Sequence, residues 1–427
     1  MKRDSFGNAG RVLAAAILTL IVTLIVVPGA SAYTYKVLYK FPFSGQTTYS
    51  TAGLTWGPDG NLYGTTEFGG AYGYGRVYEL ARNPDGSWTE QDLYSFTNGA
   101  DGRQPWAGVI FDSAGNLYGT TAYGGLGDCS DTYGSGCGAV FELTPNPDGT
   151  WTETTLYSFT GSSDGGSPTD ALILDASRNL YGTAHYGGTG DCEQYGYGAK
   201  ACGAVFELSP NFDGSWTESV LYSFTGTADG AQPRSTPVVD SFGNLYGTTY
   251  AGALCNNCGT VFELSPNPDG SWTENVLHKF TGGKDGAMPW AGPLVFDSQG
   301  NLYGTAEWGG YGYGTVFELI PSGYGTWKGS LLHTFTKGRD GAWPHSGVTF
   351  DAAGNLYSTT SGGGTYGYGV VFKLTRGEDG KWREHVASFK NNPASSPFAG
   401  IIFDAAGNLY GVSHGTRYDM VVFEITP

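Results

Sequence analysis

The 427-residue sequence is poor in the residues that build long helices. It has only 3 methionines, and charged residues make up 14% of the chain, whereas the exposed faces of helices are normally filled with Lys, Glu, Arg and Gln. Basic residues are also scarce, since 22 Lys and Arg stand against 39 Asp and Glu, for a net charge of −17. This sign disfavours binding to nucleic acid and to anionic membrane surfaces. We therefore expect little helix and no nucleic-acid partner.

Glycine is abundant, with 71 residues, but it lacks the strict every-third-residue spacing of collagen. Disorder is excluded by composition, because 40% hydrophobic and 15% aromatic residues supply enough apolar surface to offset the entropy lost on folding. The composition thus indicates a folded protein with many turns.

The first 32 residues have the three-part layout of a secretory signal peptide. Lys2 and Arg3 precede an apolar run at residues 12–27, and small residues follow up to Ala32. We expect cleavage after Ala32, giving a secreted or periplasmic protein with no membrane segment. The alternative is an uncleaved membrane anchor, because the apolar run is just shorter than the roughly 17 residues that span a bilayer.

The rest of the chain is a sevenfold repeat. The phrase Asn-Leu-Tyr recurs at intervals of 53 to 65 residues, beginning at Asn61, Asn116, Asn179, Asn244, Asn301, Asn355 and Asn408. Such regular spacing marks an architecture in which each copy is one supersecondary unit.

Each copy contains four strand-like runs. In the second copy they are predicted at residues 108–112, 116–121, 139–143 and 151–159, separated by turns and one long Gly-rich loop. Seven such copies predict an all-β fold, a seven-bladed β-propeller of four-stranded antiparallel blades. A β-solenoid or two stacked sandwiches are alternatives, but a solenoid coil takes fewer residues and a sandwich does not repeat one pattern seven times.

The two ends of the chain predict how the ring closes. The seventh copy lacks a fourth strand, and residues 33–41 match the outer-strand pattern of the other copies. We predict that this N-terminal strand completes the last blade, so that residues 33–427 form a single propeller domain. The blades are expected at 50–97, 105–160, 168–225, 233–281, 289–336, 344–389 and 397–427, the last one completed by 33–41.

The recurring motifs resemble those of a known family. Leu-Tyr-Ser-Phe-Thr, an Asp-Gly turn, Gly-Asn-Leu-Tyr-Gly-Thr-Thr, Tyr-Gly-Tyr-Gly and Val-Phe-Glu-Leu follow one another along residues 33–427. This order is similar to that of the Gloeo/Verruco (GloVer) tandem repeat of exported bacterial proteins. The resemblance implies an exported repeat protein, often tethered by a C-terminal anchor, and implies no particular reaction. Because a strand without a sorting tail runs up to Pro427, we do not expect this anchor.

Residues repeated in nearly every copy are interpreted as scaffold. They include a Glu in the third strand and an Asp in the first hairpin, and a catalytic pair of carboxyls would instead need two different environments. The site candidates are positions that differ among copies at one mouth of the central channel, where second strands end and innermost strands begin, as an asymmetric ligand requires. These ligand-binding candidates are Glu67, Trp106, Asp170, His185, Arg234, Tyr250, Trp290, Glu307, His345 and His414.

The candidate side chains suit a polar ligand that has apolar faces, such as a sugar, because Trp106 and Trp290 offer flat amphipathic surfaces. We predict a monomeric binding or interaction module for carbohydrate or another polar extracellular ligand, with no required cofactor. The alternative is a metal-assisted, lyase- or hydrolase-like enzyme, in which a divalent cation or acid–base chemistry would involve His185, His345, His414, Glu67 and Glu307. A structural or adhesive surface protein is a second alternative, and no catalytic residue is assigned.

All six cysteines fall in the same loop of three successive copies. In an exported chain, this local spacing predicts one disulfide within each loop, joining Cys129 to Cys137, Cys192 to Cys202, and Cys255 to Cys258. The last pair could also be a zinc half-site or a redox motif, but the sequence has no second half-site and no thioredoxin-like βαβ pattern.

Overall fold

The computed structural model describes residues 33–42, 50–129, 136–192, 202–290, 292–390, 395–414 and 420–426. In these segments the chain forms seven antiparallel sheets, which are the blades of a β-propeller. The predicted fold class is confirmed. The same segments contain no helix that is long and apolar enough to cross a membrane. The predicted signal peptide, residues 1–32, lies outside the described residues.

Each blade runs from a short innermost strand to a long outermost strand. Blade 1 contains β2 (Thr55–Trp56), β3 (Leu62–Thr66), β4 (Arg76–Arg82) and β5 (Trp88–Ser95). Blade 2 contains β6 (Ile110–Phe111), β7 (Leu117–Thr121), β8 (Ala139–Pro145) and β9 (Trp151–Ser158). Blade 3 contains β10 (Ile173–Leu174), β11 (Leu180–Ala184), β12 (Ala204–Pro210) and β13 (Trp216–Ser223).

The remaining blades have the same order. Blade 4 contains a fifth strand, β14 (Ala231–Pro233), besides β15 (Val238–Val239), β16 (Leu245–Ala251), β17 (Thr260–Pro266) and β18 (Trp272–Lys279). Blade 5 contains β19 (Val295–Phe296), β20 (Leu302–Ala306), β21 (Thr315–Gly323) and β22 (Thr326–Thr334). Blade 6 contains β23 (Thr349–Phe350), β24 (Leu356–Thr360), β25 (Val370–Arg376) and β26 (Trp382–Ser388). Blade 7 contains β27 (Ile402–Phe403), β28 (Leu409–His414), β29 (Met420–Thr426) and the N-terminal strand β1 (Thr34–Lys40).

The innermost strands are shorter than predicted. The run predicted at residues 108–112 pairs with β7 only at Ile110 and Phe111. The residues before it bond to the preceding blade instead, as where the Gln104 N–H donates to the Tyr74 carbonyl at 2.8 Å.

Strand β1 closes the ring as predicted. It pairs antiparallel with β29 from Thr34 opposite Thr426 onward, and Phe41 just beyond it is fully buried. The Phe41 ring packs edge to face on Tyr78 of blade 1, with centroids 4.8 Å apart. The N-terminal strand therefore joins the last blade to the first and removes an open sheet edge.

The hydrophobic core lies mainly between adjacent blades. At the interface of blades 1 and 2, Phe96 packs edge to face on Phe141 with centroids 5.1 Å apart, and the same contact recurs at the following interfaces. A Cβ atom on Gly119 would lie 2.5 Å from Cζ of Phe141. The Gly of the Asn-Leu-Tyr-Gly motif therefore leaves room for this aromatic ring, and in blade 6 the small residue Ser358 takes its place opposite Phe372.

The repeated carboxylates have structural contacts. Asp112 Oδ1 accepts hydrogen bonds of 2.9 Å from the backbone N–H groups of Ala114 and Asn116, which fixes the first hairpin. The hydroxyl of Tyr118 lies 2.9 Å from Glu142 Oε1 in the third strand. These contacts stay within one blade and recur in others, which supports the interpretation as scaffold.

Candidate functional site at the channel mouth

A recurring backbone contact between neighbouring blades, here called the joint, positions the residues at the channel mouth. In six blades the residue that the joint places there, here called the mouth residue, is Trp106, Thr169, Arg234, Trp290, His345 or Phe398. Two residues before the mouth residue, six blades have a non-glycine residue with φ between 46° and 58°: Gln104, Ser167, Gln232, Met288, Trp343 and Ser396. Each donates its backbone N–H to a carbonyl of the preceding blade over 2.6 to 3.1 Å. A left-handed conformation costs an L-residue about 1 to 2 kcal/mol, and this hydrogen bond offsets part of that cost.

A Gly–Pro contact completes each joint. The residue after the left-handed one is always proline, and its ring packs on a glycine before the third strand of the preceding blade. A Cβ atom on Gly203, for example, would lie 2.4 Å from Cδ of Pro233. The mouth residue, here Arg234, follows directly. The joint therefore sets the direction in which each mouth side chain leaves the backbone.

Disulfides support half of these joints. All three predicted pairs are formed, which confirms the prediction, and no described cysteine is free. The second cysteine of each pair supplies the carbonyl that the joint uses, namely Cys137, Cys202 and Cys258. In blades 1, 5 and 6 the second tyrosine of a Tyr-Gly-Tyr-Gly sequence takes this place. Three disulfides also indicate an oxidising compartment.

The mouth residues contact one another from blade to blade. His414 of blade 7 donates from Nε2 to the Ser50 carbonyl at 2.7 Å. The neighbouring Thr51 hydroxyl lies 3.0 Å from Glu67 Oε1 and 3.1 Å from the Trp106 carbonyl of blade 2. The contacts at this side of the mouth are therefore hydrogen bonds between buried polar groups.

A positively charged side chain, Arg234, lies at the opposite side of the mouth. The Arg234 guanidinium of blade 4 is 2.9 Å from Nε2 of His185 in blade 3. Burial raises the pKa of Asp170 to about 6, although the positive charge of Arg234 opposes this shift. Burial first, and then the positive charge of Arg234, hold the pKa of His185 well below its usual range. The imidazole is therefore neutral, and it accepts a hydrogen bond from the arginine.

An aromatic arc continues from Arg234 across blades 5 to 7. The guanidinium lies over the Trp290 ring, 4.4 Å from its centroid, and Tyr250 meets the same ring edge to face at 5.1 Å. Trp290 in turn contacts His345 at 5.8 Å, and His345 contacts Phe398 at 4.7 Å. These rings form a continuous wall of flat side chains.

Glu307 and His345 lie side by side at the mouth. Glu307 Oε1 lies 4.0 Å from His345 Nδ1 and accepts a 3.0 Å hydrogen bond from Nε1 of Trp308. Burial raises the pKa of Glu307 to about 7 and lowers that of His345 to about 4. Between these values the carboxyl is protonated and the imidazole is neutral.

Several polar atoms around the mouth are buried and have no hydrogen-bond partner among the described residues. Three belong to predicted ligand-binding residues, namely Trp106 Nε1, Glu307 Oε2 and His345 Nδ1. Two more, Arg103 Nε and Trp343 Nε1, lie at the joints next to the mouth. Unpaired buried polar groups are costly in a folded protein, so these atoms are candidates for hydrogen bonds to a ligand or to water, as are similar atoms elsewhere in the described residues, such as Glu218 Oε1 and Glu274 Oε1.

The structure divides the ten predicted residues into two layers. Four are buried and hold the mouth together, and these are Glu67, Asp170, His185 and His414. Six remain partly exposed, and these are Trp106, Arg234, Tyr250, Trp290, Glu307 and His345. Their role in ligand binding stays a prediction. The sequence analysis did not select Arg103, which directly precedes the joint residues Gln104 and Pro105. The proline that follows each left-handed residue was a visible signal of the joint.

The arrangement limits which groups could bind a metal. In the described segments, no three His, Cys, Asp or Glu side chains are placed to hold one ion. The ring nitrogens of His185 are also engaged, by Arg234 and by the Pro233 backbone. A divalent cation at the mouth therefore stays an untested prediction.

A family model described as the Gloeobacter/Verrucomicrobia repeat matches residues 26–196, 127–274 and 255–427. No curated protein matches the sequence. Among solved structures, the chain is similar to a protein from Lactobacillus plantarum, with a TM-score of 0.52 and 13% identity over 86% of this chain and 99% of that one. It is also similar to a gluconolactonase from Xanthomonas campestris, with a TM-score of 0.41 and 14% identity over 92% and 89%. A PQQ-bound aldose sugar dehydrogenase from Streptomyces coelicolor has a TM-score of 0.40 and 9% identity over 92% and 98%. At 13% identity, the likeness to the Lactobacillus plantarum protein is one of fold.

Proposed function

The chain belongs to the Gloeobacter/Verrucomicrobia repeat family, and we propose that it is an exported β-propeller that binds carbohydrate, or another polar extracellular ligand, at the channel mouth. The aromatic arc next to Arg234 and Glu307 is the observation that carries this proposal. Such a mixture of flat rings and charged groups matches the alternating CH and OH surfaces of a sugar.

Unpaired polar atoms give the proposed site its hydrogen-bonding capacity. Glu307 Oε2 and His345 Nδ1 have no hydrogen-bond partner among the described residues, and the two side chains approach to 4.0 Å, so one ligand hydroxyl could bond to both groups. Trp106 Nε1 is a further donor without a partner among the described residues. A ligand that supplies these bonds would relieve a cost that the unbound protein bears.

Export is the second part of the proposal. The three disulfides require an oxidising environment to form and persist, and the leader at residues 1–32 has the composition of a signal peptide. We propose cleavage after Ala32 and a soluble, monomeric product that needs no cofactor. Mass spectrometry of the protein recovered from the producing cells would test the cleavage site.

Glycan-array binding tests the ligand class. Trp106→Ala and Trp290→Ala should each weaken binding of the best glycan by roughly tenfold or more, because each removes one stacking surface. Phe212→Ala is the matched control, since this aromatic side chain is fully exposed on a turn far along blade 3 from the mouth. Binding that survives both tryptophan substitutions would contradict a site at the mouth.

A hydrolase- or lyase-like activity is a second candidate, which the Glu307–His345 pair favours. A general acid and a general base need different protonation states at one pH. The pKa of about 7 for Glu307 and about 4 for His345 provide them between these values. Release of oligosaccharides should then peak near pH 5 to 6 and be abolished by Glu307→Gln. Product release that is unchanged in that variant would exclude this pair as the catalyst.

A further inference from the structure

The loops of blades 5 and 6 carry exposed aromatic side chains next to the mouth. Trp308 is 43% exposed, Tyr311 74% and Tyr366 49%. We call these three residues the aromatic rim. Exposed aromatic side chains in neighbouring loops are candidates for an interaction surface.

The aromatic rim is continuous with the mouth. Trp308 donates from Nε1 to Glu307 Oε1 at 3.0 Å, and Glu307 faces His345 inside the mouth. Tyr311 follows three residues later in the same loop. Trp308 therefore connects the Glu307–His345 pair to the loop that carries Tyr311.

The loops that present the rim are held by backbone hydrogen bonds. The Gly312 N–H donates to the Gly309 carbonyl at 2.8 Å beside Tyr311, and the Gly367 N–H donates to the Gly364 carbonyl at 3.2 Å beside Tyr366. The base of the blade 5 loop is fixed where the Tyr313 carbonyl accepts from the next blade at 2.8 Å. A backbone that is already held in place loses little entropy when a ligand binds.

The chemistry of this sector favours a glycan over a protein partner. The exposed apolar residues of the rim loops in blades 5 and 6 are all aromatic. The exposed aliphatic residues of the same face, Leu126 and Leu254, lie in the loops of blades 2 and 4. Between blades 5 and 6, the Lys337 ammonium lies over the Trp343 ring, 4.8 Å from its centroid. Flat rings with charged groups at their edges fit sugar rings, which have apolar faces and polar rims.

We propose that the ligand is a linear polysaccharide, of which one part occupies the mouth while the following sugar units stack on Trp308, Tyr311 and Tyr366. This inference rests on the proposed function, because it extends the mouth site outward by a second subsite. It requires that affinity increase with chain length.

Length dependence tests the proposal. Affinity electrophoresis of the mature protein through gels that contain xylan, laminarin, pullulan or dextran identifies a polysaccharide probe, and calorimetry then compares the matching disaccharide and hexasaccharide. We expect wild-type affinity to rise roughly tenfold or more between the two. The triple variant Trp308→Ala/Tyr311→Ala/Tyr366→Ala should keep the disaccharide affinity and lose this rise. Phe212→Ala should behave like wild type.

The outcomes separate the rim from the mouth. Disaccharide binding without any increase for the hexasaccharide, or an equal increase in the triple variant, overturns the rim subsite and leaves the mouth site standing. Retardation by none of the four polysaccharides, together with no hit on the glycan array, overturns both. Retardation in a gelatin gel alone would assign the rim to polypeptide and overturn the glycan proposal. Unchanged melting temperatures in the variants establish that the losses are local.

Discussion

The backbone N–H of Gln232 donates a 2.6 Å hydrogen bond to the carbonyl of Cys202, across the interface between blades 3 and 4. Cys202 is disulfide-bonded to Cys192, and Gln232 stands two residues before Arg234, whose guanidinium lies at the mouth. A covalent restraint in one blade thus supports a mouth residue of the next blade.

Reduction of this disulfide should loosen the joint selectively. We expect the Gln232 amide to exchange its hydrogen roughly tenfold faster or more after mild reduction, because the restrained acceptor becomes mobile. The Gln104 amide is the internal control, since its acceptor is Tyr74, which has no disulfide. Hydrogen exchange with mass spectrometry measures both, and equal acceleration of the two amides would indicate global unfolding instead.

The Gly–Pro contact of the joint should be sensitive to one added methyl group. Gly203 and Gly214 have nearly the same positive φ, 86° and 85°, but a Cβ atom would lie 2.4 Å from Pro233 at the first and meet nothing within 4 Å at the second. Gly214→Ala should cost about 1 to 2 kcal/mol of unfolding free energy from backbone strain alone. Gly203→Ala should cost about 1 to 3 kcal/mol more, because it also overpacks the joint. Equal destabilisation in urea titrations would show that the contact is not constraining.

Because the Glu67 carboxyl is buried, Glu67→Gln should stabilise the fold relative to wild type at alkaline pH. Burial raises the pKa of Glu67 to about 7, although hydrogen bonds from Thr51 oppose this shift. In the unfolded chain the carboxyl loses its proton near pH 4.3, so wild-type stability declines as pH rises from there to about 7. Glu67→Gln removes the decline, and its stability relative to wild type should grow over this window by on the order of 3 to 4 kcal/mol. Below pH 4 the protonated carboxyl contributes no such difference.

Thermal unfolding of the Gln variant at pH 4 and pH 8 measures this effect. The exposed Glu378 on the turn of blade 6 is the control, and Glu378→Gln should show the same difference from wild type at both pH values. A Glu67→Gln variant whose advantage does not grow with pH would contradict a buried, readily protonated carboxyl at this position.

Ring closure should be essential for cooperative folding. A chain that begins after Phe41 lacks β1, so it exposes β29 and empties the buried site of Phe41. We expect a broad, low-temperature transition by calorimetry in place of one sharp peak. Phe41→Ala in the full domain should cost about 3 to 5 kcal/mol. Sharp unfolding of the truncated chain at the wild-type temperature would contradict the closure.

The sequence was sufficient for the architecture because its signals are local and repeated. The seven Asn-Leu-Tyr positions predict the blades, and the match of residues 33–41 to an outer strand predicts that this strand completes the last blade, as found. The cysteine spacings likewise predict three disulfides within loops, as found. Each of these features repeats or lies within a few residues along the chain.

The site was less predictable because its contacts cross between blades. Periodicity places His185 and Glu307 at equivalent positions, but only the structure shows that one is buried against Arg234 while the other keeps an unpaired oxygen. The innermost strands also came out shorter than their apolar runs, because the chain before Ile110 bonds to the neighbouring blade. Which side chains become buried and where each innermost strand begins depend on packing between blades, which no single repeat specifies.

The pairing of β1 with β29 also determines how the domain responds to tension. The strands are antiparallel, and Thr34 at the start of one lies opposite Thr426 at the end of the other. A pulling force applied between these two residues would load the first pair of backbone hydrogen bonds alone, then the next, in the manner of a zipper. Strand β1 stabilises the closed propeller against heat and denaturant. Under tension, however, the propeller should open at a lower force than a domain in which all such hydrogen bonds share the load at once.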